Sequence, residues 1–558
     1  MSQPSNLGWL FSFVTPHRMS VIGVLLLSVV ATGLSLLQPW ITKLLIDDGL
    51  IAQNFTVLAW LCAAMVLLSF CSSLLGGFNQ HYYTQLSARV LFSLRGSVYQ
   101  HLQTLSPDFY ARRSRGDLLS RINGDVAEIQ RFATDGLLAS FNGVLALLGS
   151  LILLVSLSPV LSLFAFVLLP VQLVFLSYMR PRIERQTHVI REHTGKLGDF
   201  FVSTLSSMKF IQATNAQERQ KHQLDSLSDG YLKNLLRLNL LNYTTSGVPG
   251  LLLVINTSLI FLLGGYWVIQ GEFTLGTLMA FTMYLGRATG PVQTLLGLYV
   301  ASRRAKVSLD RVSEMMQAAP AVTEPESPKF LDEKSPADIV FRNVAFSYPE
   351  AAQPVLKDVN LTIPEGNKVA IIGDSGAGKS TIIDLLHRHW DPNVGSISLG
   401  GIMLRDLSLM QLRQYVAVVS QETILFAGSI AENIKFANPQ ASDEAMIQAA
   451  QQAQLDGWIR QLPEGYESHI GEQGRLLSGG QRQRLSIARA LLQEPRVLIL
   501  DEATASIDEE TERAIIDSVD QLFSHCTRIV ISHQAGPLRD ADQWFRLENG
   551  QLRSSNAR

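Results

Sequence analysis

Hydrophobic residues divide the chain of 558 residues into two parts with different patterns. Residues 1–310 contain long uncharged apolar runs, whereas residues 337–558 have the mixed composition of a water-soluble domain. An α-helix needs roughly 20 apolar residues to cross about 30 Å of hydrocarbon. The first part therefore predicts an all-α membrane domain with six spanning helices, in the windows Met19–Leu37, Phe55–Phe78, Gly136–Leu157, Val160–Tyr178, Val248–Ile269 and Leu275–Val300.

Basic residues predict the orientation of these helices, because cytoplasmic connections carry an excess of Lys and Arg. The short connections between the windows contain one basic residue, Lys43, whereas the long segments 79–135 and 180–246 contain seven and ten. Both long segments and both termini are therefore expected in the cytoplasm.

The two long segments have the composition of helices. Each contains one proline, and in the first segment apolar residues recur at helical spacing, for example at Leu86, Val90 and Leu94. We predict that helices two to five extend far beyond the membrane as two cytoplasmic helical hairpins. Their tips are expected to turn at Pro107–Asp117 and Gln212–Arg219.

One charge, Arg287, lies inside the sixth window. A charge at that depth is costly unless it faces protein or water. We interpret Arg287 as a helix-end cation or as a partner of another helix, and contact with a substrate is the alternative.

A proline-rich stretch separates the membrane part from the soluble part. It is typical of a linker, so we expect a transmembrane domain at 1–316, a linker at 317–338 and a soluble domain at 339–558. In the soluble domain, strand-like and helix-like segments alternate, which predicts a mostly parallel sheet with helices on its faces. The predicted strands are Ile339–Phe346, Lys368–Gly373, Val416–Ser420, Val497–Leu500 and Arg528–Ser532.

A glycine-rich motif follows the second of these strands and precedes a helix that starts at Thr381. Its glycines allow the loop to wrap around phosphates, and the helix start adds a positive dipole. Lys379 can reach the β- and γ-phosphates, and the Ser380 hydroxyl can bind Mg²⁺. The pattern therefore predicts an α/β P-loop ATPase domain with ATP and Mg²⁺ as cofactors. The motif consists of Gly373, Asp374, Ser375, Gly376, Ala377, Gly378, Lys379 and Ser380.

Two carboxylates follow the apolar strand that starts at Val497. Asp501 can hold Mg²⁺, and Glu502 is placed to activate water as a general base for attack on the γ-phosphate. Alone, this pattern could equally be a strand that ends in solvated acids. The glycine-rich loop upstream favours the catalytic interpretation.

A second anion-binding helix start is predicted from Leu477, Ser478, Gly479, Gly480 and Gln481. One nucleotide does not need two such sites on the same chain. A two-fold dimer, with each ATP held between the loop of one copy and this segment of the other, uses both. A plain capped helix start is the alternative.

The five residues Leu477–Gln481 are identical to the signature sequence of the ATP-binding cassette (ABC) transporter family, which the chain resembles over nearly its whole length. The resemblance implies roles for further residues. Tyr348 stacks on adenine, Gln421 senses Mg²⁺ and faces the membrane domain, and His533 contacts the γ-phosphate. Ser506 and Asp508 lie in the loop that crosses between two nucleotide domains.

The segment Ile470–Gly474, the order of spans before the cassette and the two hairpins resemble exporters of this family. The resemblance implies a half-transporter in the bacterial inner membrane, with its ATPase domain in the cytoplasm and the hairpin tips touching the cassettes. All expected catalytic residues are present, which favours a homodimer, although a degenerate partner chain remains open. His387, His389 and Trp390 depart from the family pattern, and the two histidines are interpreted as surface residues.

The composition of the chain argues against several other classes of protein and of binding site. Hydrophobic residues make up 47% and charged residues 17%, the net charge is −2, and there are three cysteines. This argues against a nucleic-acid partner and against a disulfide scaffold or a four-thiolate zinc site. The spans hold few ionisable groups, so we expect an amphipathic substrate: a peptide, a lipid or a hydrophobic drug. An ATP-gated channel or membrane regulator is the alternative, while a soluble ATPase and an importer are disfavoured.

Overall fold

The computed structural model describes residues 6–349, 351, 353–374, 376–420, 423–501, 517–532 and 540–554. The chain divides into two compact units, which we call the membrane unit and the nucleotide unit. The membrane unit comprises Met1–Leu102 and Arg115–Gln317, and the nucleotide unit comprises Gln103–Ser114 and Ala318–Arg558. The tip of the first predicted hairpin therefore belongs to the nucleotide unit.

Helices form nearly all of the chain before the linker. Pro107–Ala111 (α4) lies in the segment that belongs to the nucleotide unit. Short 3₁₀ or π-helical stretches at Thr15–His17, Leu45–Ile51, Arg121–Asp125 and Arg131–Gly136 join some of the others. The remaining helices are Asn6–Val14 (α1), Arg18–Leu44 (α2), Phe55–Thr104 (α3), Arg115–Ser120 (α5), Val126–Gln130 (α6), Leu137–Leu157 (α7), Pro159–Val167 (α8), Leu169–Ser206 (α9), Met208–Ala213 (α10), Gln217–Ile269 (α11) and Leu275–Met316 (α12).

Five helical stretches in the described part of the chain are long and apolar enough to cross a membrane. The sixth predicted window lies within α12, a continuous helix of 42 residues that is not among the five. The five stretches are Gly8–Ile51, Phe55–Thr104, Arg115–Leu157, Pro159–Ser206 and Gln217–Ile269.

Helix α3 changes its surroundings halfway along its length. At 1.5 Å per residue its 50 residues span about 75 Å, more than twice the hydrocarbon thickness. None of its residues before Leu86 is buried, whereas Leu86, Val90, Leu94, Val98 and Leu102 are buried at every fourth position. A spacing of four places these side chains in one stripe. The first half is therefore suited to lipid, and the second half packs against protein.

Arg287 completes the hydrogen bonding of a neighbouring helix. Pro39 lies inside α2 and has no N–H, so the carbonyl group of Ser35, four residues earlier, lacks its helical donor. The guanidinium group of Arg287, on α12, donates to this carbonyl and also to Gln38 Oε1, at 2.6 Å. The interpretation of Arg287 as a partner of another helix is therefore confirmed.

The nucleotide unit contains two β-sheets. The strands Lys368–Ile372 (β3), Val416–Ser420 (β6), Val497–Asp501 (β7), Thr527–Ile531 (β8), Gln543–Glu548 (β9) and Gln551–Ser554 (β10) form one sheet in the order β10-β9-β3-β8-β7-β6. Its strands are parallel except β10. The strands Ile339–Phe346 (β1), Leu356–Ile363 (β2), Val394–Leu399 (β4) and Ile402–Met403 (β5) form an antiparallel sheet in the order β2-β1-β4-β5. The first predicted strand is thus outside the parallel sheet.

Side chains of the parallel strands alternate between two separate hydrophobic cores, as expected for a strand buried on both faces. Val369 and Ile371 contact the core shared with the antiparallel sheet, whereas Ala370 points to the other core. The helices Lys379–Leu386 (α13) and Leu409–Tyr415 (α14) pack on the first core. The helices Ile430–Ile434 (α15), Asp443–Gln452 (α16), Asp456–Ile459 (α17) and Gly479–Gln493 (α18) pack on the second. Helices α13 and α18 therefore lie on opposite faces of the sheet.

The contact between Arg287 and α2 can be tested by supplying the missing donor. Arg287→Ala should lower the stability of the full chain in detergent by about 2 kcal/mol, because a buried carbonyl loses a charged donor. In a Pro39→Ala background the new N–H can bind Ser35 O, so the loss of Arg287 should cost about half as much. Apparent melting temperatures measure both effects.

Thr289→Ala is the matched control on α12, because its hydroxyl donates only to its own helix, at Gly286 O. Equal losses in the two backgrounds would contradict the role given to Pro39.

Candidate nucleotide-binding site

The glycine-rich loop connects the end of β3 to the start of α13. Lys379 is the first residue of α13 and is buried. Its ammonium group turns back into the loop and donates to the carbonyl oxygens of Gly373, at 2.7 Å, and Asp374, at 3.0 Å. Ser380 is exposed in the first helical turn. The loop thus brings together a cation, a hydroxyl group and the N–H groups of a helix start, which are the donors that phosphate oxygens need.

Glycines give this loop a shape that other residues would not allow. Gly376 and Gly378 have φ angles of 82° and 107°, in the region that favours glycine. A Cβ atom on Gly373 would lie 2.6 Å from the carbonyl oxygen of Leu547. The loop backbone therefore requires glycine at these three positions.

Tyr348 lies against the helix that follows the loop. Its hydroxyl oxygen is 3.2 Å from Thr381 Oγ1, and it donates to Asp384 Oδ2 at 3.2 Å. Its ring meets Phe346 and Trp390 edge to face, with centroids 5.0 and 5.9 Å apart. These contacts fix the ring beside the loop, where the adenine base is expected.

Burial raises the pKa of the Tyr348 hydroxyl, the charges of Asp384 and Asp108 raise it further, and the hydrogen bond with Thr381 lowers it. Asp108 belongs to α4, so the tip of the first hairpin lies near this tyrosine. Asp384 was not among the residues predicted from the sequence, and burial raises the pKa of its carboxyl group as well. Its spacing of three from Thr381, which places both side chains on one helix face, is the signal that could have identified it.

The interpretation of His387 and His389 as surface residues is only partly right, because both side chains are half-buried. Trp390 packs on Tyr348, and the two imidazole rings stack with centroids 5.7 Å apart. Burial lowers the pKa of His387 to about 4, with smaller contributions from His389 and Arg413. The interpretation placed both histidines on a helix, but α13 ends at Leu386.

The second predicted anion site is the start of α18. Ser478 Oγ accepts a hydrogen bond from the N–H of Gln481, at 3.3 Å, and Gln481 Oε1 accepts one from the N–H of Ser478, at 2.8 Å. This reciprocal cap fixes the helix start. The N–H groups of Gly479 and Gly480 precede the first intrahelical hydrogen bond and can bind an anion.

The structure brings some predicted residues together and separates others. Asp501 is in register with Ile531 of β8, which borders β3, so Asp501 and the glycine-rich loop lie at one edge of the sheet, about 10 Å apart. Tyr348 lies beside the glycine-rich loop, because its hydroxyl group contacts Thr381 in the first turn of α13. The start of α18 belongs to a helix on the opposite face. Ser375, Gln421, Glu502, Ser506, Asp508 and His533 lie outside the described residues.

The sequence matches two family models in consecutive order. Residues 21–292 match the ABC transporter transmembrane region, and residues 356–505 match the model described as ABC transporter. The first match falls within the membrane unit, apart from the tip of the first hairpin, and the second within the nucleotide unit.

Relatives align with almost the whole chain. It is 32% identical over 547 residues to the uncharacterized ABC transporter ATP-binding protein YknV of Bacillus subtilis (strain 168), covering 97% of this chain and 90% of that protein. It is 30% identical over 545 residues to an ATP-dependent lipid A-core flippase of Chromobacterium violaceum, covering 95% and 91%. A bacterial Atm1-family ABC exporter with ATP bound has the same fold, with a TM-score of 0.78, 24% identity and coverage of 96% and 94%.

Two variants of Tyr348 can distinguish the role of its ring from that of its hydroxyl group. Tyr348→Ala should weaken ATP binding about tenfold, because stacking on a base contributes roughly 1–3 kcal/mol. Tyr348→Phe keeps the ring and should retain most of the affinity. Titration of the full chain with a fluorescent ATP analogue measures both; an unchanged affinity in Tyr348→Ala would show that the ring does not stack on adenine.

Proposed function

Because this chain belongs to the ABC transporter family, we propose that it works as a homodimer that exports an amphipathic substrate across the bacterial inner membrane. The nucleotide unit is a transport-coupled ATPase, and the membrane unit is a multi-pass membrane domain. The observation that carries the proposal is the presence of a phosphate-binding loop and a signature helix start on opposite faces of one sheet, fused to long membrane helices.

The arrangement of the two helix starts supports a dimer. Lys379 and the loop begin α13 on one face, whereas Ser478 precedes α18 on the other, so a single ATP cannot use both within one nucleotide unit. Two copies related by a two-fold axis can place the loop of one opposite Ser478 of the other, twice. Each ATP then contributes to the attraction between the copies.

Exposed apolar side chains suggest where copies touch outside the membrane. At the tip of the second hairpin, around α10, Phe210 is 71% exposed and Leu205 is 68% exposed. On the nucleotide unit, Ile424, Phe426 and Phe436 form an exposed patch, in which the two rings stack at 4.3 Å. Such patches mark contacts with other proteins. We infer that the tip of one copy covers this patch on the other.

Catalysis is assigned to residues around the γ-phosphate. Glu502 takes a proton from the attacking water, and His533 contacts the γ-phosphate. Mg²⁺ would be held by Ser380, Asp501 and Gln421, and would neutralise charge on the phosphates. Asp508 lies in the loop that crosses between the two nucleotide units. Binding of ATP favours the closed dimer, and hydrolysis releases it, which changes the access of the membrane cavity.

Removing the general base should separate ATP binding from hydrolysis. Glu502→Gln keeps the size of the side chain but cannot accept the proton, so turnover should fall at least about a hundredfold while ATP still binds. Phosphate release from the reconstituted full chain measures this. Glu548→Gln, in an exposed pair with Arg546, is the matched control. Substantial hydrolysis by Glu502→Gln would remove Glu502 from this role.

The contact between copies can be tested by cysteine pairing. Cys62, Cys71 and Cys526 are first replaced by Ala, and two differently tagged chains then carry Phe210→Cys and Ile424→Cys. Because each chain has one cysteine, a heterodimeric disulfide forms only if the tip of one copy reaches the patch of the other. Leu236→Cys, on the exposed side of α11, should not pair with Ile424→Cys. Equal crosslinking of both pairs would contradict the contact.

A further inference from the structure

A groove of about 430 Å³ lies in the membrane unit between α9, α11 and α12. Its wall on α9 follows one helix face, because Leu173, Leu176, Arg180 and Glu184 recur at spacings of three and four. Along that face the residues change from apolar to charged within about 17 Å. A ligand that follows this wall needs an apolar part and a charged or polar part.

The polar end of the groove lies at one depth on all three helices. Arg180 comes two residues after the fourth apolar window, Thr245 three residues before the fifth, and Arg304 four residues after the sixth. On the predicted topology these are the cytoplasmic ends of the spans. The polar end therefore lies at the level of the lipid head groups of the cytoplasmic leaflet, and Leu173 and Leu176 lie deeper.

The charge of the groove favours an anionic head group. Two guanidinium groups, of Arg180 and Arg304, and one carboxylate, of Glu184, line the groove. Arg180 Nε lies 3.6 Å from Glu184 Oε1, an ion-pair distance but longer than a good hydrogen bond. Arginine binds carboxylate and phosphate groups in a bidentate manner. The amide group of Asn242 adds a further hydrogen-bond donor.

We propose that this groove binds the transported substrate and that the substrate is an anionic amphiphile, which enters from the cytoplasmic leaflet. Its carboxylate or phosphate group binds Arg180 and Arg304, and its chain lies along Leu173 and Leu176. This inference rests on the proposed export function and makes its substrate more specific. The neutral interior of the spans remains suited to the apolar chain.

Direct binding tests the charge preference on the full chain in nanodiscs. Palmitoyl lysophosphatidic acid is the probe, and palmitoyl lysophosphatidylcholine, with the same chain and a zwitterionic head group of no net charge, is the comparison. Native mass spectrometry should show tighter binding of the anionic probe. Arg180→Gln and Arg304→Gln should each weaken its binding about tenfold, as expected for a lost charged hydrogen bond, with little effect on the neutral lipid.

Arg182→Gln is the matched control on the same helix. Its guanidinium group lies 3.5 Å from the ring centroid of Tyr178 and donates to Tyr178 O at 2.7 Å, so it is engaged outside the groove. This variant should bind the anionic probe as the wild type does. If Arg180→Gln does not fold, the exposed Arg304 provides the second variant. Equal binding of both lipids, or tighter binding of palmitoyl lysophosphatidylcholine, would overturn the proposal.

Transport assays separate failure of this inference from failure of the proposed function. Inside-out vesicles should accumulate the anionic probe when ATP is supplied, and Arg304→Gln should reduce the rate at low probe concentration. ATP-driven accumulation of only neutral or cationic amphiphiles would overturn the groove assignment and leave export intact. Absence of ATP-driven accumulation for every amphiphile would contradict the export function, and with it the assignment of a substrate.

Discussion

The alternation of side chains across the parallel strands is the constraint on which the use of ATP in this protein depends. Successive side chains of β3, β7 and β8 point to opposite cores, and α13 packs on one of these cores while α18 packs on the other. Each helix start can bind an anion, but the sheet stands between them. The fold therefore separates, within one chain, the two halves of a phosphate clamp, and a second chain is the economical way to close it.

The end of α3 connects the membrane unit to a segment of the nucleotide unit. The segment 103–114 interrupts the membrane unit in sequence but packs with the nucleotide unit, and α3 leads directly into it. Asp108, in that segment, is close enough to Tyr348 to affect its pKa. Tyr348 and the segment that follows the 50-residue helix α3 are thus neighbours within the nucleotide unit.

Sequence patterns predicted those features that local chemistry dictates. Phosphate binding requires glycines and a lysine at fixed spacing, and lipid requires long apolar runs, so the loop at Gly373–Ser380 and the long helices could be predicted. The membership of β1 in a second sheet could not, because a strand pattern does not show which strand it pairs with. The packing of Trp390 on Tyr348 was missed for a similar reason, since it depends on where α13 ends.

The proposed assignment of the groove between α9, α11 and α12 gives a membrane domain poor in charge a way to select a charged ligand. A cation near the centre of the bilayer is costly and needs a protein partner, as Arg287 has in α2. At the level of the head groups the cost falls, so Arg180 and Arg304 can face a ligand there. Selection by charge then takes place before the ligand reaches the apolar interior.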